Sequence, residues 1–253
     1  MSKEQEYDGY NGAGDFDGLD NLIQSVPRLL LAQSNTSEAK SDSDNAIPGL
    51  KIGQFFTNKG RTVLGNTTTI RVFGFREVWI EWAGLDYVGA HRARSVHIVN
   101  ESEFGKWKNE AGNKISPAIE MLVQSVGNEA EGPLVMSFKG RSFKTGRNIL
   151  RILSSLRDEG QLRPIWATDI EITSSKQSNQ DGEFYVIGDG SAKSGGKLVR
   201  DAKTGEIKKI SQEDYNKHVK PLFDFVLSFR NGLPAPEDVK QLTAEEAALE
   251  IDV

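Results

Sequence analysis

The sequence contains no cysteine, and only 3 histidines and 3 methionines in 253 residues. The missing cysteines exclude a disulfide framework, Cys-ligated zinc, iron–sulfur clusters and a thiol nucleophile. His91, His97 and His218 are too few for a His-rich metal site. Without a nucleophile-elbow sequence they assemble no Ser–His–Asp set either. No apolar run approaches the ~18–20 residues that a membrane span needs. The opening MSKEQEYDGY is acidic and has no apolar h-region, so it does not read as a signal peptide. Hydrophobic residues are 37% of the chain, low enough to predict an ordered centre between polar flanks. Together these absences predict a soluble, intracellular protein of a reducing compartment, with no cofactor.

What is present is an uneven charge. Residues 1–47 hold 3 basic and 9 acidic residues, and residues 234–253 hold 1 and 6. Residues 48–233 keep 27 of the 31 basic and 21 of the 36 acidic residues, a net of +6 inside a chain of net -5. A basic middle suits a polyanion such as nucleic acid. Acidic ends serve as interaction arms, as competitors for a basic groove, or simply as solubilising tails.

Residues 1–26 are rich in Gly, Asp and Asn and read as a disordered acidic arm. PRLLLAQ (Pro27–Gln33) is a strand or one helical turn, and residues 34–47 are a polar linker. GLKIGQFFT and RTVLG flank Asn58-Lys59-Gly60 and predict a hairpin. Further strands are expected at Ile115–Val126, Pro133–Phe138, Arg163–Thr173 and Glu183–Ile187, with a polar loop at Ser174–Gly182. One helix is expected from a Ser142 cap to about Leu156, and a second over Gln212–Arg230, kinked at Pro221. Residues 233–253 form an acidic tail.

The longest β signal is Thr69–Trp82, TIRVFGFREVWIEW. Strict alternation puts Ile70, Val72, Val78, Ile80 and Trp82 on an aliphatic face with Arg76. Arg71, Phe73, Phe75, Glu77, Trp79 and Glu81 then share the other face. Gly74 marks a bulge or bend. Aromatics interleaved with cations suit stacking on single-stranded bases, worth ~1–3 kcal/mol per base. The bland alternative is a central strand buried on both faces.

The helix near 142–156 carries the second signal. At 100° per residue, Lys144, Arg147 and Arg151 fall within about a 60° wedge, opposite Phe143, Ile149, Leu150, Ile152, Leu153 and Leu156. With Lys139 and Arg141 this makes 5 cations in 13 residues and no acid among them. The pattern predicts a phosphate-tracking ridge, against the alternative of an ordinary amphipathic surface helix. His91, Arg92 and Arg94 form a smaller basic cluster. Phe104 and Trp107 lie on a short expected helix, with Trp107 a further stacking candidate. Lys193–Lys209 reads as a basic arm or a plain solvated loop.

Other motifs are weaker. Gly188–Ser194 and Gly140–Gly146 both miss the G-x-x-x-x-G-K-[ST] spacing of a phosphate loop. Asp169 and Glu171 share a strand face and would suit a divalent metal in a nuclease, but surface strand carboxylates are common.

In layout the chain resembles bacteriophage single-stranded-DNA-binding proteins with an OB-type core. The resemblance rests on FREVWIEW, then PLVMSFKGRSFKTGRNIL, then PIWATDIEIT and GEFYVI, and covers roughly residues 27–230. It implies a mainly β, α+β fold: an OB-like antiparallel barrel or curled sheet with two principal helices and flexible acidic termini. The domain would span 27–232. The implied function is non-enzymatic coating of single-stranded DNA, or RNA, in viral replication or transcription, in the cytoplasm of an infected bacterium and away from membranes. Replication or transcription partners would dock on the acidic ends, although EEAALEIDV lacks a terminal aromatic. The contact set would be Arg71, Phe73, Phe75, Arg76, Trp79, Arg92, Arg94, Trp107, Lys139, Arg141, Lys144, Arg147 and Arg151, with no metal. The alternatives are an adaptor or virion-associated protein that meets an acidic partner protein, and a metal-dependent nuclease using Asp169 and Glu171.

Overall fold

The β-branched and aromatic run forms β4 (Thr67–Ala83), the longest strand among the described residues. A computed structural model describes residues 27–83, 95–98, 105–106, 108, 114–180, 182–188 and 196–222. The expected acidic arm and tail, 1–26 and 233–253, lie outside them.

Before β4 come β1 (Leu29–Leu31), β2 (Phe55–Thr57) and β3 (Val63–Gly65). After it come β5 (Ser95–Ile98), β6 (Lys114–Ser125) and β7 (Leu134–Lys139). Helix α1 (Phe143–Ser155) is followed by the two-residue strands β8 (Arg157–Asp158) and β9 (Gln161–Leu162). The long hairpin β10 (Asp169–Asn179) and β11 (Gly182–Ile187) comes next, then β12 (Lys197–Leu198). The main sheet runs β11-β10-β4-β6-β7, with β12 against β10 and β5 against β4. Every pairing in it is antiparallel.

β1 closes much of the gap between the outer strands. It meets β7 through the parallel Arg28–Val135 bridge and a 2.8 Å bond from Val135 N–H to the Pro27 carbonyl. Just past it, Gln33 bonds both backbone groups of Tyr185 in β11, at 2.9 and 3.0 Å. The result is a mostly antiparallel, curled half-barrel of the α+β class.

The main core joins Ile70, Val72, Ile119, Met121, Val123, Leu134, Met136 and Phe138 to Ile149 and Leu153 of α1. The helix can sit this close because of Gly146, where a Cβ would stand 2.8 Å from that of Phe138. Ser142 does not cap the helix. Its backbone is already helical, and its Oγ accepts from Ile187 N–H at 3.0 Å. Thr145 Oγ1 donates to the Ile187 carbonyl at 2.8 Å. The polar residues at the start of α1 thus hook the end of β11.

Several expectations change. Residues 34–47 are not a loose linker. Turns fold them back, Ile47 N–H reaches the Glu38 carbonyl at 2.8 Å, and Ala32, Ile47, Leu50 and Phe56 form a small second core. The expected loop at 174–182 is a ladder, with Ser174 opposite Ile187 and Asn179 opposite Gly182. Its Ser, Gln and Asn residues have poor β propensity, but the pairing partner overrides it. Strand is replaced by a 3₁₀ turn at Ile165–Ala167, after Pro164. Residues 196–209 fold back onto β10, and Lys209 reaches Asp158 at 3.1 Å.

The last described helix starts at Gln212 behind a Ser211 cap and passes into a π turn at Tyr215–Val219. Tyr215 and Val219 are buried, and Tyr215 lies 5.1 Å from Trp166 between ring centroids. Residues 223–230 of the expected helix lie outside the described residues.

Candidate nucleic-acid interface

Period-2 alternation holds along β4 only as far as Val72. Val72 stands opposite Val123 of β6, but Gly74 stands opposite Leu122, so Phe73 is an extra residue in a β-bulge. The bulge exchanges the two faces. Ile70 and Val72 point to the main core, and beyond the bulge Phe75, Glu77 and Trp79 take that side, opposite Met121, Ile119 and Pro117. Val78 and Ile80 move to the reverse face and pack with Ala118. The single aromatic–cation face expected from alternation is therefore divided.

On the reverse face, Arg71 is not a surface cation. Its side chain is 4% exposed and bonds Asp169 twice, at 2.8 and 3.1 Å, with Gln124 Oε1 at 3.5 Å. This pair also accounts for Asp169, the first of the two carboxylates weighed as metal ligands. Among the described residues no cluster of three or more metal-ligating side chains occurs. Arg76 donates twice to Glu120 Oε2, at 2.8 and 3.1 Å, while Ser137 donates to Glu120 Oε1 at 3.2 Å. Phe73 is buried, at 1% exposure. Arg71 and Phe73 thus lie inside the fold rather than on an open platform. Phe75 and Trp79 are half-buried.

α1 keeps its expected division. Lys144, Arg147 and Arg151 are exposed, while Ile149 and Leu153 are buried. Among the described residues none of those three cations forms an ion pair. Arg147 lies 6.0 Å over the Phe143 ring, and Arg151 Nε bonds Asn148 Oδ1 at 3.1 Å within the helix. Lys139 and Arg141 are exposed just ahead of the helix. Arg141 stacks 5.0 Å over Phe184 of β11 and donates to Gln177 Oε1 of β10 at 2.9 Å. Phe184 and Gln177 were not singled out in the sequence. Phe184 belongs to the expected GEFYVI strand, while Gln177 falls in the stretch expected to be a polar loop, and only the β10–β11 pairing, with Gln177 opposite Phe184, sets both beside Arg141.

Between α1 and β4 lies an open cleft of about 130 Å³, lined by Phe75, Glu77, Ile119, Arg147 and Leu150. Its floor is apolar, and one carboxylate and one guanidinium stand at its walls. Here a residue of the strand and one of the helix ridge meet. Glu77 is exposed and works against phosphate binding at this point, so the cleft differs from the rest of the ridge. Arg92, Arg94 and Trp107 lie outside the described residues. Among the described residues no helix is long and apolar enough to cross a membrane.

No curated protein and no solved structure matches the chain. One family model, described as Pam3 phage gp34-like protein, matches residues 2–207. The chain belongs to that family, and is a phage protein.

Proposed function

We propose that this phage protein binds single-stranded nucleic acid, DNA in the first instance, along the exposed face of α1. The observation that carries the reading is that Lys144, Arg147 and Arg151 stand exposed and without an ion pair among the described residues, beside a cleft floored by Phe75. Cations left unneutralised in a row suit a polyanion. A half-buried aromatic next to them suits an unstacked base. Arg141, steadied by Phe184 and Gln177, extends the row past the start of the helix. The role would be non-enzymatic coating of strands in the infected cell's cytoplasm during replication or transcription, with the acidic ends meeting partner proteins. The same reading assigns the curled sheet to the OB type, supported by a helix that follows β7 in the chain and packs its apolar side on β6 and β7.

The test is a fluorescence-anisotropy titration of a labelled ~30-nucleotide strand at several salt concentrations, with duplex as competitor. Affinity should fall by ~0.7 log units per log unit of salt for each phosphate neutralised, so four ridge cations give a slope near -3. Duplex should compete poorly. Absence of binding at low salt would leave the ridge as a surface for an acidic partner protein, the role of an adaptor or virion-associated protein.

A further inference from the structure

We infer that the ridge divides its labour: Arg141 and Arg147 carry bases stacked on their guanidinium groups, whatever the base, while Lys144 and Arg151 meet phosphates. The inference rests on the strand-binding role proposed above. It turns on how each arginine is held. Arg71, Arg76 and Arg163 are each tied to a carboxylate, at 2.8, 2.8 and 2.6 Å. Arg141 and Arg147 are held over phenyl rings instead, 5.0 Å from the centroid of Phe184 and 6.0 Å from that of Phe143. Both distances are within cation–π range. Neither arginine forms an ion pair among the described residues.

A ring covers one side of each guanidinium, and both residues are exposed, so the other side meets solvent. Gln177 Oε1 takes one N–H of Arg141 at 2.9 Å and steadies the group where it lies. A guanidinium is planar, weakly hydrated and stacks well, whereas an ammonium is a compact, strongly hydrated point charge. Bases splayed out of a single strand stack on arginine planes as they do on aromatic rings. Every base has a π-face, so the contact selects none. Among the described residues no ring lies under Lys144 or Arg151, and Arg151 is bound to Asn148 Oδ1 at 3.1 Å within the helix. Those two keep the role of plain charges. The arginines add their charge to the same row, but stacking is what they alone supply.

The experiment uses the full-length chain and the double variant Arg141→Lys with Arg147→Lys, which keeps every positive charge. Each is titrated with labelled oligo(dT) and with a strand of equal length built of abasic sites, which has the same phosphates and no bases. Both residues are exposed, so the variant should keep its fold, checked by circular dichroism and melting temperature. The inference expects the variant to lose at least about fivefold in affinity for oligo(dT) and less than about twofold for the abasic strand. Equal losses on both strands would overturn it, because the arginines would then be reading phosphates. No loss on either would overturn it by reducing them to charges that lysine replaces, with strand binding left intact. Failure of the native chain to bind oligo(dT) at low salt would overturn the strand-binding reading and the stacking role with it.

Discussion

On the reverse face of β4, Arg71 and Arg76 each meet a carboxylate at 2.8 Å. On α1, against the opposite face of the same sheet, Lys144, Arg147 and Arg151 stand exposed and form no ion pair among the described residues. Arg163, close to the end of α1, follows the first pattern: it meets Asp158 at 2.6 Å and donates to Thr168 Oγ1 at 2.9 Å. Residue type therefore does not separate structural from binding cations here. The difference lies in the cross-strand neighbour. A strand residue directly opposite another shares its face, so Asp169 and Glu120 are placed to neutralise Arg71 and Arg76. The exposed face of a helix has no such opposite number, and its charge stays available to something outside the chain.

The contrast can be broken at its buried end first. Arg71→Ala leaves Asp169 without its partner and should lower unfolding free energy by ~3–5 kcal/mol in urea denaturation. Replacing both partners by apolar residues, Arg71→Met with Asp169→Leu, should restore most of it. A loss under 1 kcal/mol for Arg71→Ala would show that this pair resembles a surface contact.

The ridge should behave in the reverse way. Joint reversal of Lys144, Arg147 and Arg151 to Glu should weaken strand binding by about a hundredfold or more, with the melting temperature almost unchanged. Normal affinity in that variant would reduce the ridge to plain surface.

The inner side of the same helix sharpens the comparison further. Gly146→Ala adds a Cβ 2.8 Å from Phe138 Cβ and should cost ~1–3 kcal/mol through overpacking, read by denaturation. Binding by the folded fraction should be retained.

The smallest effect belongs to Asp158. Burial pushes its carboxyl up, but the hydrogen bonds and charges of Arg163 and Lys209 outweigh that and hold it below the ordinary value of 3.8. A depressed folded value means that its contribution is present above about pH 4 and fades as pH falls through the folded value. Asp158→Asn should therefore flatten the acid limb of a stability–pH curve and leave neutral-pH binding unchanged.

Much of this was legible in the sequence. The α1 division followed from spacing alone, because a helix of thirteen residues keeps its period throughout. β6, β7 and β11 fell close to their expected bounds, since apolar runs broken by turn residues have few other uses. Gly74 signalled a bulge, but not which residue would be the extra one, and that depends on the register against β6. Arg71 could not be assigned from β4, because its partner lies 98 residues away on β10. Phe184 and Gln177 were hidden for the same reason: their relation to Arg141 exists only across the sheet.

A strand read in twos behaves like a text with a reading frame, and Phe73 is one inserted letter. Upstream of it the frame spells core with even numbers; downstream it spells core with odd ones. Drawing that letter into the ladder, with Phe73 opposite Leu122, would turn Phe75 and Glu77 to the reverse face and bring Arg76 and Val78 up under α1. The cleft would then lose both its aromatic ring and its carboxylate at once. Removing Phe73 altogether would instead leave Gly74 opposite Leu122 and the frame beyond it unchanged, so what β4 must keep is the slack at this point, not the side chain that occupies it.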